Sequence, residues 1–562
     1  MYKVGNVYFI AAVAVVGGAL FGFDISSMSA IIFTKPYLCY FNQGPLYLQS
    51  DNECSGPRSS VQVEIQVESL PQCLVDHGLA PSFPDMSQSS WGENVQSRSE
   101  LFYGKLDSQS IFLCPKKHIF LGENMFVSKF RRCIGSIIVC SAQNIPMLIV
   151  GRIINGLAVG LCSAQVPVYI SEIAPPSKRG RLVACQQWAI TWGILIMFYI
   201  SYGCSYTSGT AAFRIPWGLQ MIPAIFLYIG MMFLPESPRW LAKNDRWEEA
   251  TQVLILVHAS GDSNSPFVEK EIAEIRQAVG FENQNADTSY LDLLKPDMIN
   301  RLHIGIFCQI WSQLTGMNVM MYYITYIFTM AGLGSNVLIS SSIQFIINVI
   351  MTIPALLYVD KWGRRPTLLV GAFLMMSIHF VNAGVLASYG RKPYPGEFPI
   401  ASESISISGV PAKVVIAFTY LFVTAYSPTW GPVSWVYPPE LYPLRLRSKA
   451  VAISTSANWA FNFALAYFVP PAFENIRWRV YLLFGIFCAI MFIHVFLLFP
   501  ETSQKPLEEV EAIFTDKSPG SIPFIGTPAW RTGIEKKAQY TDEINVKKSE
   551  DNVGKNESRS SV

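Results

Sequence analysis

The sequence predicts an all-α membrane protein built as two helical bundles. Two observations lead there: long apolar runs free of charge recur along the chain, and a polar segment over 235–301 divides them into two sets. Of the 562 residues, 51% are hydrophobic and only 15% are charged, with a mean hydropathy of +0.30. Soluble domains carry about a quarter of their residues as charges. From Ile304 to Val359 there is no Asp, Glu, Lys or Arg, and the turn-like Ala331-Gly-Leu-Gly-Ser-Asn336 alone interrupts the run. A bilayer core takes about 20 apolar residues per helix, so this stretch reads as two spans joined by a tight loop. The net charge of +2 is too small to point to nucleic acid as a partner. The 11 cysteines show no metal-ligand spacing, and no nucleophile, base and orienting group form a motif, so neither a cofactor nor an enzyme is expected.

In chain order, the first span covers 7–31 and holds Gly18 and Gly22 at the spacing of a close helix contact, followed by Asp24. An acid inside a span is costly enough to be read as functional. Residues 33–132 are polar and unlike the rest, and the apolar character returns at Ile134 to Val139 in a run too short to span. Spans follow at 147–170, which opens with Gly151-Arg152, at 182–203 and at 214–234. The central segment from Pro235 to Arg301 reads as short amphipathic helices. Six spans make up the second half, at 302–330, 337–359, 366–389, 412–438, 449–473 and 480–500, and the tail from Glu501 is polar and mixed in charge. The organisation is therefore a first bundle over 1–234, a central loop over 235–301, a second bundle over 302–500 and a tail over 501–562.

Lys and Arg favour the cytoplasmic side of a membrane. Lys178-Arg179-Gly-Arg181, the central segment, Lys361-Trp-Gly-Arg364-Arg365 and Arg445-Leu-Arg447-Ser-Lys449 all fall on one side when the spans alternate, which places that side, the central loop and the tail in the cytoplasm. Glu172 before Arg179 and Glu440 before Arg445 repeat one pattern in the two halves, as in an internal repeat around a central site. Counting 1.5 Å per residue from the span ends puts Asp24 roughly 26 Å, and Arg152 roughly 22 Å, from the inner face. The two can pair. Gln309, Gln313 and Gly316 share one face of an otherwise apolar helix, like the wall of a cavity.

Taken together, Pro235-Glu-Ser-Pro-Arg239, Gln313-Leu-Thr-Gly-Met-Asn318, Asp360-Lys-Trp-Gly-Arg-Arg365, Gly431-Pro-Val-Ser-Trp435, Pro439-Glu440 and Pro500-Glu-Thr502 resemble the motif series of the sugar porter family in the major facilitator superfamily, of the fungal hexose transporter type. The resemblance implies the major facilitator fold of two six-helix bundles in the plasma membrane. It also implies a sugar site between the bundles and transport by alternating access. It makes Gln187, Gln313, Asn318, Asn348, Trp435, Asn458 and Asn462 the sugar ligands, and amides suit hydroxyl groups because they both donate and accept without charge. Ser312 departs from the pattern, since many members carry a second Gln there. Asp24, with Arg152 as partner, is the expected proton carrier for symport. Glu172, Arg179, Arg364, Glu440, Arg445, Arg447 and Glu501 form the expected network that closes the inner side. A sugar sensor on the same fold is the alternative function, and the tail after Phe514 has no internal repeat to recruit signalling partners.

Against the family pattern the first bundle is incomplete, with ten to eleven clear spans in the whole chain where twelve are expected. Ser128-Lys-Phe-Arg131-Arg132 resembles a cytoplasmic Asp-x-x-Gly-Arg-Arg motif that has lost its Asp and Gly. A misread exon boundary between residues 40 and 146 explains this most simply, and the chain would then be an inactive product.

Overall fold

A computed structural model describes residues 6–29, 31, 35–41, 132–175, 178–259, 261–262, 265–284, 290–332, 337–392, 405–503 and 514. The described residues are helical almost throughout. The cysteines Cys54, Cys73 and Cys114 and the atypical stretch from 42 to 131 lie outside them.

In the first half, α1 (Val7–Ala14) and α2 (Val16–Ser29) form one span with a slight break at Val15, and α3 (Lys35–Tyr40) is a short piece beyond it. The described part of helix α4 is 132–140 and α5 runs over Ile145–Ile173, turned by a loop in which the Asn144 side chain accepts from the Met147 backbone N–H at 3.0 Å. Then come α6 (Arg179–Cys204) and the pair α7 (Ala211–Leu219) and α8 (Met221–Met231). Between the halves lie α9 (Pro238–Lys243), α10 (Trp247–His258) and α11 (Pro266–Gln284), packed on a small core of their own around Leu241, Val253, Leu254 and Ile275.

The second half opens with α12 (Pro296–Leu314), α13 (Met317–Tyr322) and α14 (Ile324–Met330), followed by α15 (Val337–Trp362) and α16 (Arg364–Tyr389). It closes with α17 (Val410–Tyr426), α18 (Trp430–Leu441), α19 (Leu444–Asn475) and α20 (Arg479–Leu498). Eight helical stretches among the described residues are long and apolar enough to cross a membrane. The other two expected spans, 302–330 and 449–473, are also helical but fall short of that composition, because the first is broken and the second spends its middle on Asn458 and Asn462.

Among the spans that the sequence presents as continuous and the structure interrupts, two have their breaks beside expected sugar ligands. The 302–330 run stops at Leu314 and restarts at Met317, because Gly316 sits in the left-handed region at φ +83°. A side chain there would be strained, and its Cβ would stand 3.1 Å from the Phe484 ring. The 412–438 run breaks between Tyr426 and Trp430, where Pro428 has no N–H to donate to the preceding turn.

The tightest crossing in the first half is between α2 and α6. The Gly18 and Gly22 face packs here on the backbone of α6, and a Cβ on Gly22 would overlap the Ile190 carbonyl oxygen. Small residues are what let two helices come this close in lipid, where apolar burial alone gives no drive to associate. Backbone cannot yield as a flexible side chain can, so Gly22→Val should cost at least the 1–3 kcal/mol or so of overpacking. It should lower the thermal unfolding midpoint of the detergent-solubilised protein, and an unchanged midpoint would rule out the contact.

Candidate sugar site and charge clusters

The break at Gly316 is what builds the central polar cluster. Gln313, in the last turn of α12, donates from Nε2 to Asn458 Oδ1 at 2.7 Å. Its own Oε1 accepts from Asn462 Nδ2 at 3.2 Å and from Asn318 Nδ2 in a short hydrogen bond. A continuous helix would set Gln313 and Asn318 on different sides, since residues five apart do not share a face, whereas the restart at Met317 folds Asn318 back. Tyr322 adds its hydroxyl, 3.5 Å from Asn462 Oδ1. Gln313, Asn458 and Asn462 are all buried, and among the described residues Asn458 Nδ2 has no hydrogen-bond partner. Four of the seven expected sugar ligands thus meet around a single carboxamide, with one donor unspent.

The other three lie apart from that knot. Asn348 on α15 accepts from Ser427 Oγ at 2.8 Å, close to the break between α17 and α18. Gln187, from the first half, points its amide at Gly431 in α18, where an added Cβ would lie 3.4 Å from Gln187 Nε2. Trp435 is buried on the same helix. Gln309, on the face shared with Gln313, donates to the Ser434 carbonyl at 3.0 Å and so ties α12 to α18. Ser312 lies 3.4 Å from the Tyr426 hydroxyl. The two halves meet here as well: Trp459 Nε1 donates to Ser163 Oγ at 3.3 Å and its ring meets Phe21 edge-on at 4.7 Å between centroids.

Asp24 is 4% exposed and holds two arginines. Arg152 Nη1 reaches its Oδ1 at 3.1 Å and Arg132 Nη2 reaches the same oxygen at 3.2 Å. The sequence points to the first partner and misses the second. Arg131-Arg132 resembles a remnant of a cytoplasmic loop motif, yet Arg132 is fully buried in the bundle, donating also to Gln220 Oε1 at 3.2 Å and to the Asn155 carbonyl at 3.5 Å.

At the end where basic residues gather, Arg364 grips Glu440 with two bonds, Nη2 to Oε1 at 2.6 Å and Nε to Oε2 at 3.0 Å, and reaches Asp360 Oδ1 at 3.0 Å. Such bidentate pairing fixes geometry as well as charge. Glu501 caps the start of α16, accepting from the backbone N–H of Arg364 at 2.9 Å and of Arg365 at 3.0 Å. Thr502 and Ser503 join the same network, through Glu440 Oε2 at 2.7 Å and Arg364 Nη1 at 3.1 Å. The first half docks on it by backbone: Arg181 N–H donates to Asp360 Oδ2 at 3.1 Å. Of the other expected members, Glu172 accepts from Ser237 Oγ at 2.5 Å, and Arg447 donates to the Tyr442 carbonyl at 3.1 Å from Nη2. The side chains of Arg179 and Arg445 lie outside the described residues.

Comparison with known proteins places these features in a family. The model of the family described as sugar (and other) transporter matches residues 123–514. A glucose transporter of the major facilitator superfamily, mfs1 of Aspergillus flavus, is 41% identical over 554 residues, covering 96% of this chain and 94% of that protein. The high glucose sensor RGT2 of Saccharomyces cerevisiae is 33% identical over 445 residues, which is 77% of this chain and 55% of the sensor. Among solved structures, the proton:xylose symporter XylE from E. coli, bound to 6-bromo-6-deoxy-D-glucose, superposes with a TM-score of 0.67 at 22% identity, over 91% of this chain and all of the other. The fold is that of the major facilitator superfamily, and the chain, a multi-pass membrane protein, belongs to the sugar transporter family.

Proposed function

We propose that this protein moves a hexose or a related sugar across the plasma membrane by proton symport and alternating access. The observation behind the reading is the amide knot around Gln313, in which two uncharged side chains flanking a break in one membrane helix meet two from another helix and Asn458 Nδ2 has no partner among the described residues. A sugar hydroxyl both donates and accepts, so it can replace one amide of the knot and use the spare N–H without leaving a buried group unmatched. The named glucose transporter among the relatives makes glucose the first sugar to test.

Gln187 and Trp435, brought from opposite halves to the same helix crossing, would close on the sugar from the other side, and Asn348 would complete the set. The Arg364 network supports the alternating step. It joins α15, α16, α18 and the segment after α20, and it meets the first half at the Arg181–Asp360 contact. Exposed charges add little to stability, but a contact made in one state and broken in the other biases the balance between them.

Two other readings have an observation in their favour. The likeness to a sensor admits binding without transport. The family match begins only at residue 123, which favours the misread exon boundary, whereas the alignment with the Aspergillus flavus transporter runs through that stretch and counts against it. Labelled-sugar uptake in a transporter-deficient host, with sequencing of the transcript across codons 33–146, separates all three. Uptake supports the proposal, binding without uptake supports the sensor, and a transcript that differs from this sequence supports the gene-model error.

Removing Gln313 strands three partner amides in a buried place, at a cost of about 1–3 kcal/mol per unmatched group. Gln313→Ala should therefore raise the apparent KM for sugar about tenfold or more, and Asn318→Ala should raise it less, since its partner keeps two other amides. Unchanged affinity in both variants at normal surface abundance would sink the assignment.

For Asp24, the expectation is that Asp24→Asn still equilibrates sugar but no longer accumulates it against a gradient. Accumulation that survives the change removes Asp24 as the proton carrier.

A further inference from the structure

We infer that His379, on α16, is a positioning residue for the sugar site: it holds the break at Gly316 on which the amide knot is built. The inference rests on the reading of that knot as the sugar site. Helix α16 carries none of the expected sugar ligands, so His379 acts on sugar only through the backbone of the broken span.

A break in a helix leaves backbone groups that a continuous helix would pair for itself. Part of this one is closed from within. Thr315 Oγ1 donates to the Ser312 carbonyl at 2.7 Å and accepts from the Met317 N–H at 3.3 Å, and the Gly316 N–H donates to the Gln313 carbonyl at 3.1 Å. The Thr315 carbonyl is met from elsewhere. In an unbroken helix it would accept from the N–H of Val319, four residues on. Here, among the described residues, no backbone N–H bonds to it, and it accepts from His379 Nε2 at 2.9 Å. A donor from α16 thus stands in for the bond that the break gives up. Thr315 is fully buried, and an unmatched carbonyl at such a place is costly. Taking the donor away therefore favours the continuous helix, which would carry Asn318 off the face of Gln313.

The surroundings of His379 give its ring no other evident task. It is fully buried and packs against the rings of Phe422, Phe484 and Tyr481, at 4.7, 5.9 and 6.2 Å between centroids. Such a place suits an apolar side chain, and an imidazole buried there is costly unless it is hydrogen-bonded. Among the described residues Nδ1 has no partner, so the bond to the Thr315 carbonyl is the ring's hydrogen bond, and it places the proton on Nε2. Phe484 also stands 3.1 Å from where a Cβ on Gly316 would lie, so one aromatic ring backs both the imidazole and the left-handed glycine. Asn382, one turn further along α16, is equally buried, and its amide has no partner among the described residues. A polar side chain on this stretch of α16 is thus not by itself tied to the break.

The test is labelled-glucose uptake by the full-length protein in a transporter-deficient host, counted per copy at the surface. His379→Phe keeps an aromatic ring but removes the N–H, and should raise the apparent KM about fivefold or more. Its maximal rate should stay within about twofold of the parent's, as for a change that weakens binding alone. His379→Gln brings an amide N–H to the reach of Nε2 and should restore a KM near the parent's. His379→Asn carries the same amide on a shorter stem and should behave like His379→Phe; should the Phe variant not arrive at the surface, the Asn and Gln pair decides. Asn382→Leu should leave KM unchanged. Because His379 works through the knot, His379→Phe should add little in a Gln313→Ala background. A parent-like KM in His379→Phe, an equal rise in Asn382→Leu, or additive effects with Gln313→Ala overturns the inference. Gln313→Ala also separates it from the underlying reading. An unchanged KM there removes the knot as the sugar site and the role of His379 with it, whereas a raised KM there beside an unmoved His379→Phe defeats His379 alone.

Discussion

A polar group carried into hydrocarbon must find its partner inside the protein, since no water is there to supply one. That constraint explains why the few polar side chains of the spans occur in sets. Gln313 is matched by three amides, Asp24 by two arginines and Arg364 by two carboxylates. Each set draws on several helices, so satisfying the polar groups also fixes how those helices sit. Apolar packing in a bilayer is too unspecific to do that alone. The knot around Gln313 joins α12, α13 and α19, and the Gln309 bond to the Ser434 carbonyl brings α18 into register with them.

Broken helices serve the same end. A continuous helix satisfies its own backbone and offers side chains on a fixed rotation of about 100° per residue. At Gly316 the chain gives up that regularity over a few residues, and amides at 313 and 318 then converge. The second break, at Pro428, lies beside Asn348 and leads into the helix that holds Gly431 and Trp435. Both irregularities stand next to expected sugar ligands, as they do where discontinuous helices form the binding sites of other transporters.

Much of this was legible in the sequence because it rests on composition and length. Charge-free runs gave the spans, and motif order gave the family. Depth arithmetic was enough to match Asp24 with Arg152, since both lie on spans whose ends are visible. What escaped was set by tertiary context. Gly316 lies inside a long apolar run, and nothing local says that its backbone is left-handed until the Phe484 ring is seen against it. The described bonds of Arg447 and Glu172, to the Tyr442 carbonyl and from Ser237, are likewise not legible in the sequence. Arg132 escaped for a related reason: its Arg-Arg context resembles a loop, and only the tertiary contacts with Asp24 and Gln220 show it buried in the bundle.

The two charge clusters differ in where they lie. Arg364 faces both Asp360 and Glu440, and the Asp360 side chain is 27% exposed, so water reaches that cluster. At Asp24 two arginines meet one carboxylate oxygen, with side chains no more than 5% exposed, and Arg132 also donates to two fixed dipoles, Gln220 Oε1 and the Asn155 carbonyl. A buried ion deprived of its partner is costly, whereas at the cluster that water reaches, solvent takes up part of whichever charge is released. Parting the ion pairs of Arg364 therefore costs less than parting those of Asp24, which would have to be accompanied by movement of a helix or entry of water.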